Sequence, residues 1–507
     1  MDKYQAGLFS GLFFRLEWLI VLVVLSFSST AYAVRWLDGW DNAQRFKLAY
    51  LADQSEVNIP VSVWPLPWHG AVPFIEEDCS SVVKKASRRV CLALKKEWQY
   101  KEAISEGVSL DFYAANQSLI FHSFDQTPHE KGLLKGDYFL EAENWQFNAA
   151  LNIYQDAEDD ESFRVEGSYL SRQIGDWSLL LGALPQWWGP NIDQSLILSS
   201  NARDFPAIFL TRSTLSPFET SWLRWVGPWH FVTFMGQLDD DGRYVDHPLL
   251  WGARLTFKPF SSFEIGASRT AMWGGEGRKK TPRIFLDLLL GQDNYEGDKT
   301  NEPGNQLGGF DFRWSHASET CTQSVYGQWI GEDEAGMMPS RPIGSLGVTM
   351  ACPGRHGLFD YFIEVSDTAL DFYNSEKLYG SAYQHGLYQT GYQYYGRVLG
   401  SSFDNDARTV SLGLFWQDFK GVYSSSIKLR HLNLNRDNVA VSDFTNTASA
   451  QALKTNQLEV MVKAKTRLHT FSAGVSMLDE LPLNQFSVDS RLTVWLGYGF
   501  VFGQKAI

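Results

Sequence analysis

The clearest pattern along the chain is alternation with a period of two. Near the C-terminus Leu492, Val494, Leu496, Tyr498, Phe500 and Phe502 alternate with Thr493, Trp495, Gly497 and Gly499. Val410, Leu412, Leu414 and Trp416 alternate with Thr409, Ser411 and Gly413, and Phe310, Phe312 and Trp314 with Asp311 and Arg313. Phe163, Val165 and Tyr169 are interleaved with Arg164, Glu166 and Ser168. Successive side chains of a strand point to opposite faces, so each stretch predicts a strand with one apolar and one polar face. A soluble sandwich would bury the apolar face. A membrane barrel would show it to lipid and line a wet lumen with the other.

The connections separate these two readings. From Gly107 onward the pattern predicts about eighteen antiparallel strands, the sixth starting near Glu219. Every second connection is short, as at Glu143-Asn144, Gly175-Asp176, Gly227-Pro228 and Pro353–Gly357. Those between are long, as at Pro185–Phe218, Ala271–Gln306, Glu332–Arg341 and Ala369–Asn405. A sandwich has no reason to sort its loops, whereas an outer-membrane barrel has short periplasmic turns and long extracellular loops. The expected fold is therefore an all-β membrane barrel over residues 106–507, in the outer membrane of a Gram-negative bacterium and in contact with its lipid.

Ahead of the barrel the periodicity is helical. Asp41–Asp53 opens on an N-cap candidate and places Phe46, Ala49 and Tyr50 at helical spacing. Pro60, Pro65, Pro67 and Pro73 enforce an extended path, and a second helical stretch spans Cys79–Tyr100. Residues 34–105 are expected to form a small helical cap with a Pro-rich linker at the periplasmic mouth. Residues 1–33 read as a signal peptide. Lys3 and Arg15 precede the apolar Leu19–Phe27, and Ala31-Tyr32-Ala33 is a cleavage pattern.

Composition narrows the function. Aromatic residues make up 15% of the chain, as an aromatic-girdled barrel requires, and the net charge of −14 argues against a nucleic-acid partner. Cys321 opens one expected strand and Cys352 closes the next, so a cross-strand disulfide is expected. Cys79 and Cys91 would lie roughly 18 Å apart on one continuous helix. They can pair only if that helix breaks between them or begins after Cys79.

QWWGPNIDQSLILSSNARDFP (residues 186–206) with the following FLTR stands out as a long loop too apolar for disorder. It occurs in order with VWPLPW (63–68), QLGGFDFRW (306–314), YGQWIGEDEAGMMPS (326–340) and EVSDT (364–368). Together these resemble the Wzi-type capsule-assembly outer-membrane lectins. The resemblance implies an eighteen-stranded barrel with a periplasmic helical bundle that binds and organises exported capsular polysaccharide or exopolysaccharide. Neither cysteine pair belongs to that family's pattern.

A sugar site needs flat aromatic faces with amides and carboxylates around them. Trp187, Trp188, Asn191, Asp193, Gln194 and Asn201 supply that mix, although the tryptophans would serve equally to pack a plug. Arg203, Arg212 and Arg341, in or near outward loops, could hold uronate carboxylates or pair with protein acids. Glu332, Asp333 and Glu334 could contribute acceptors, but they lack calcium-loop spacing. No hydrolase motif sits in a meaningful context, so no catalytic residue, metal or cofactor is assigned. The expected protein is a non-enzymatic, monomeric surface lectin. The alternative is a diffusion or sugar-specific porin.

Overall fold

The computed structural model describes residues 41–67, 70–71, 79, 84–102, 104–125, 127–240, 242–290, 304–335, 338–438, 446–483 and 488–505. The expected signal segment lies outside them. The described residues form a closed antiparallel barrel of eighteen strand positions, in which each strand pairs with its sequence neighbours and Ile104–Ala115 closes the ring on Leu492–Lys505. The fourth position is built from two pieces, Phe163–Arg164 and Tyr169–Ile174, both paired to Trp145–Gln155. Between them Gly167 takes φ +90°, which a residue with a Cβ rarely adopts.

The two faces divide as the alternation requires. On Gly357–Asp367, Asp360, Phe362, Glu364 and Ser366 are buried, while Tyr361, Ile363 and Val365 are exposed. Leu346, Val348 and Met350 on Met338–Pro353, and Ile427 and Leu429 on Tyr423–Leu434, continue an exposed apolar outer wall. Such a wall is stable only against lipid. No helix among the described residues is long and apolar enough to cross a membrane.

Two expectations change. The sixth strand is Ala207–Arg212, not a segment starting near Glu219. Its Ala207–Thr211 pair with Gly236–Val232, and Ala207, Phe209 and Thr211 face inward while Ile208 and Leu210 face out. The preceding loop thus ends at Pro206, and the connection of residues 213–228 returns at the turn end. There Phe218 stacks on Trp229 at 4.5 Å and Trp225 meets Phe257 edge-on at 6.4 Å, so the stretch after Glu219 is folded back along the wall. The second change concerns Glu332–Arg341. Thr322–Ala335 pairs with Met338–Pro353 as far as Ala335↔Met338, so this expected loop is a hairpin prolonged past the rim. Residues 336–337 lie outside the described ones.

The segment before the barrel enters its lumen. Helix α1, Asn42–Asp53, is N-capped by Asp41, whose side chain accepts from Ala43 N. It is buried nearly all round, so it has no solvent face to make polar. Asp53 pairs with Arg313, and Tyr50 donates to the Thr320 carbonyl at 2.9 Å. The chain then extends along the inner wall. Glu264 accepts from the backbone N–H groups of Val61 and Ser62 at 2.9–3.0 Å. Arg254 donates to the Ser62 carbonyl at 3.0 Å while pairing with Asp311 at 2.6 Å. Helix α2, Lys85–Glu102, packs on α1, with Glu97 bound to Lys47. Because α2 begins after Cys79, the sulfurs of Cys79 and Cys91 can meet, and the two are bridged with Cα atoms 5.6 Å apart. Cys321 and Cys352 are bridged at the open end of their hairpin, on the short-turn side of the barrel, with Cα atoms 4.4 Å apart.

Candidate functional site

The tryptophan pair sits at the centre of the lumen. Trp187 and Trp188 are 1% and 0% exposed. They pair in antiparallel register with Trp64 and Val63, so two of the sequence motifs meet as one short ladder. Trp187 meets Phe124 edge-on at 5.5 Å, and Trp188 lies 5.5 Å from Phe234 on the wall. Arg45 of α1 reaches up to donate to the Asn191 carbonyl at 2.5 Å and lies 4.1 Å over the Phe124 ring. Gly189, at φ +136°, leaves room for Gln328, whose amide nitrogen would lie 2.1 Å from a Cβ there. Gln328 uses that room to donate to the Trp188 carbonyl and accept from Leu196 N.

The polar residues of this loop are spent on the same plug. Asp193 is fully buried and receives Arg430 at 2.6 and 2.8 Å and Ser411 at 2.6 Å. Burial alone would raise its pKa, but Arg430 holds it below the usual carboxylate range. Glu364, in the EVSDT motif, accepts from Ile192 N at 2.8 Å and from the Tyr326 hydroxyl at 3.0 Å. Asn191 donates to Ser345 and Gln194 to Ser366. The long loop between Asp367 and Arg408 closes over the top, where Tyr383 donates to the Leu196 carbonyl and accepts from Ser401 N.

These placements revise the expected sugar-contacting surface. Trp187, Trp188, Asn191 and Asp193 present no open face to solvent, because a lumen filled by protein leaves only buried partners for them. Arg212 is at the turn end, opposite the long loops, and donates to the Ser216 and Trp229 carbonyls. Glu332 accepts from Tyr383 N. Asp333 belongs to the prolonged hairpin, and Arg341 lies exposed beside it with φ +48°.

Of the expected residues, Arg203 lines a large cavity. It has a volume of about 930 Å³ and lies between the plug and the inner wall of the first and last strands. At the turn end Lys420, Lys463, Lys465 and Arg467 border it. At the loop end it reaches Glu158, Arg203, Tyr395 and Arg397. Arg203 bridges Asp159 at 2.6 Å, Glu161 at 2.8 Å and Glu166 at 2.5 Å, and lies 3.7 Å over the Tyr395 ring. Arg164 joins Glu130 to Asp159, and Arg397 pairs with Glu158 at 2.7 Å. Three guanidiniums here meet five carboxylates. Asp204 beside them is pushed well above the usual carboxylate range, first by burial and then by the Glu166 charge. Tyr113 Oη, Gln146 Oε1 and Glu166 Oε2 along the cavity are buried without a protein hydrogen-bond partner. The loop end offers aromatic rings, amides and spare carboxylate oxygens, and its three guanidiniums already face carboxylates.

Burial lifts the Glu158 carboxyl to about 7 although Arg397 opposes the rise. The unfolded value is about 4.3. Between these values the folded chain holds the extra proton, so stability should fall as pH rises from about 4.3 towards 7. Glu158→Gln should flatten that part of the curve in thermal unfolding followed across pH.

The family described as capsule assembly protein Wzi matches residues 101–479. The chain belongs to that family. A relative from Klebsiella pneumoniae, an uncharacterised 55.8 kDa protein in the cps region, is 31% identical over 382 residues, covering 72% of each chain. Among solved structures the fold is similar to that of Wzi from Escherichia coli, with a TM-score of 0.79 and 23% identity, covering 93% of this chain and 100% of that one. That protein is described as an outer-membrane protein involved in group 1 capsule assembly and as a carbohydrate-binding β-barrel. This chain is an outer-membrane β-barrel, as its loop sorting predicts.

Tyr395, Glu158 and Glu166 line the candidate site, Glu364 and Arg430 hold the plug beside it, and none was singled out for binding by sequence. Glu364 had a signal in EVSDT. The others sit in loops or alternating strands that give each no mark of its own.

Proposed function

We propose that the chain is a non-enzymatic surface lectin that binds exported capsular polysaccharide or exopolysaccharide, with its long loops facing outward. The observation that carries this reading is the cavity at Arg203 and Tyr395, where rings, amides and carboxylates converge beside a packed plug. Saccharides are held by such mixtures of ring faces and hydrogen-bonding groups. Because Arg203, Arg164 and Arg397 already face protein carboxylates, neutral hydroxyl-rich or amino sugars fit this end better than uronates. Helix α2, with α1 inside the lumen, then belongs to the periplasmic side.

The test is binding of the detergent-purified barrel to the capsular polysaccharide of its own source. Tyr395→Ala should weaken saturable binding by roughly tenfold, the cost of one central aromatic contact. Unchanged affinity in this variant would move the site elsewhere on the loop end. The porin reading rests on the same cavity, since it runs from turns to loops. Steady ion conductance in planar bilayers, with no polysaccharide binding, would favour it.

A further inference from the structure

The connection between Phe263–Trp273 and Gln306–Ala317 carries helix α3, Pro282–Leu289, outside the barrel rather than over its mouth. Its buried side, Ile284 and Leu288 with Phe285 and Leu289, packs on Ala271, Trp273, Trp251 and Met235. Those four belong to the outer wall at the loop end. Phe285 lies 5.2 Å from Trp273 and 5.9 Å from Trp251. Arg269 holds the helix down by donating to the Leu288 carbonyl at 2.9 Å. Its opposite side carries two exposed leucines beside Arg283. Leu286 and Leu290 are 54% and 59% exposed, directed away from the wall that lipid surrounds.

Cations sit just ahead of these leucines. Lys279 and Lys280 are exposed, and Arg283 is 90% exposed, 3.9 Å from Asp287. Aromatic outer-wall residues at a strand end mark the level of the membrane interface. A helix lying flat there, with leucines towards lipid and cations beside them, has the build of an interfacial amphipathic helix. Its charge complements the phosphates of an anionic lipid.

We propose that α3 with Lys279, Lys280 and Arg283 forms a docking surface on the outer wall for a phosphorylated glycolipid of the outward-facing leaflet. Phosphates would meet the three cations, and acyl chains would lie along Leu286 and Leu290.

The experiment is native mass spectrometry of the full barrel in detergent with added bis-phosphorylated lipid A or its dephosphorylated form. The Lys279→Glu/Lys280→Glu/Arg283→Glu and Leu286→Ser/Leu290→Ser variants run beside it. Compact migration in unheated electrophoresis confirms that each variant is folded. Retention of the phosphorylated lipid is expected to fall about tenfold or more in the charge-reversed variant, as loss of several surface cations implies. The serine variant should lose both lipids. Equal retention of the two lipids, or retention untouched by charge reversal, would overturn the proposal. A dimer mass lost in the serine variant would also overturn it, by assigning the face to a second copy.

Discussion

Replacing Arg430 by alanine is expected to free the plug loop from the wall at a cost of about 3–5 kcal/mol, the range for removing one partner of a buried ion pair. Arg430 joins Asp193 of the loop to Glu459 and Gln457 of the neighbouring strand, and both side chains of its main pair are fully buried. Without it Asp193 stays as an uncompensated charge. The measurement is limited proteolysis of residues 183–206 together with thermal unfolding of the barrel. Cleavage should become rapid in a barrel that otherwise still runs as folded. The double variant Asp193→Asn/Arg430→Gln should recover much of the loss, since neither charge is then stranded.

The pH dependence has a definite sign. Asp193 in the native chain lies below its unfolded value of about 3.9, so its contribution is present above that pH and is lost as pH falls through the folded value. In Arg430→Ala burial is opposed by Lys428 and the Ser411 hydrogen bond without the guanidinium, and it should raise the carboxyl instead. That variant should gain stability as pH is lowered into the range where Asp193 takes up its proton. A transition unchanged by the substitution would show that the plug is held by other contacts.

Trp188→Ala is expected to cost about 3–5 kcal/mol through the cavity it leaves. The ring is fully enclosed against Phe234, and its backbone is paired to Val63 and Leu198. Polysaccharide affinity, measured where the variant is still folded, should match the parent because the ring offers no reachable face. Affinity lost with unfolding unchanged would return Trp188 to the binding surface.

The period-two alternation was enough to set strand number, because a barrel wall between lipid and a polar interior permits only that pattern. It failed at the sixth strand, where Pro206 and Pro217 each precede a candidate stretch, Ala207–Arg212 and the one starting near Glu219. Ala207–Arg212 won because it alone pairs with both flanking strands. The prolonged hairpin at Ala335 was hidden for the opposite reason. Its sequence, with Glu332-Asp333-Glu334 and Pro339, breaks the apolar alternation, so it reads as loop.

At the site, residue types were legible and their partners were not. A tryptophan pair beside Gly-Pro suits both sugar stacking and core packing. The choice was made by Val63-Trp64, more than a hundred residues earlier, which enters the lumen and pairs with it. Arg203 could have faced solvent or protein acids; Asp159 and Glu161 of another loop, with Glu166 in the break of the fourth strand, decided for the acids.

By itself the sequence determined the barrel, its membrane-facing wall and the sorting of its loops, because these follow from which face of each strand must meet lipid. Only the tertiary structure decided what fills the lumen. That filling depends on loops and an N-terminal segment, distant in sequence, whose charges and rings find one another inside a closed wall.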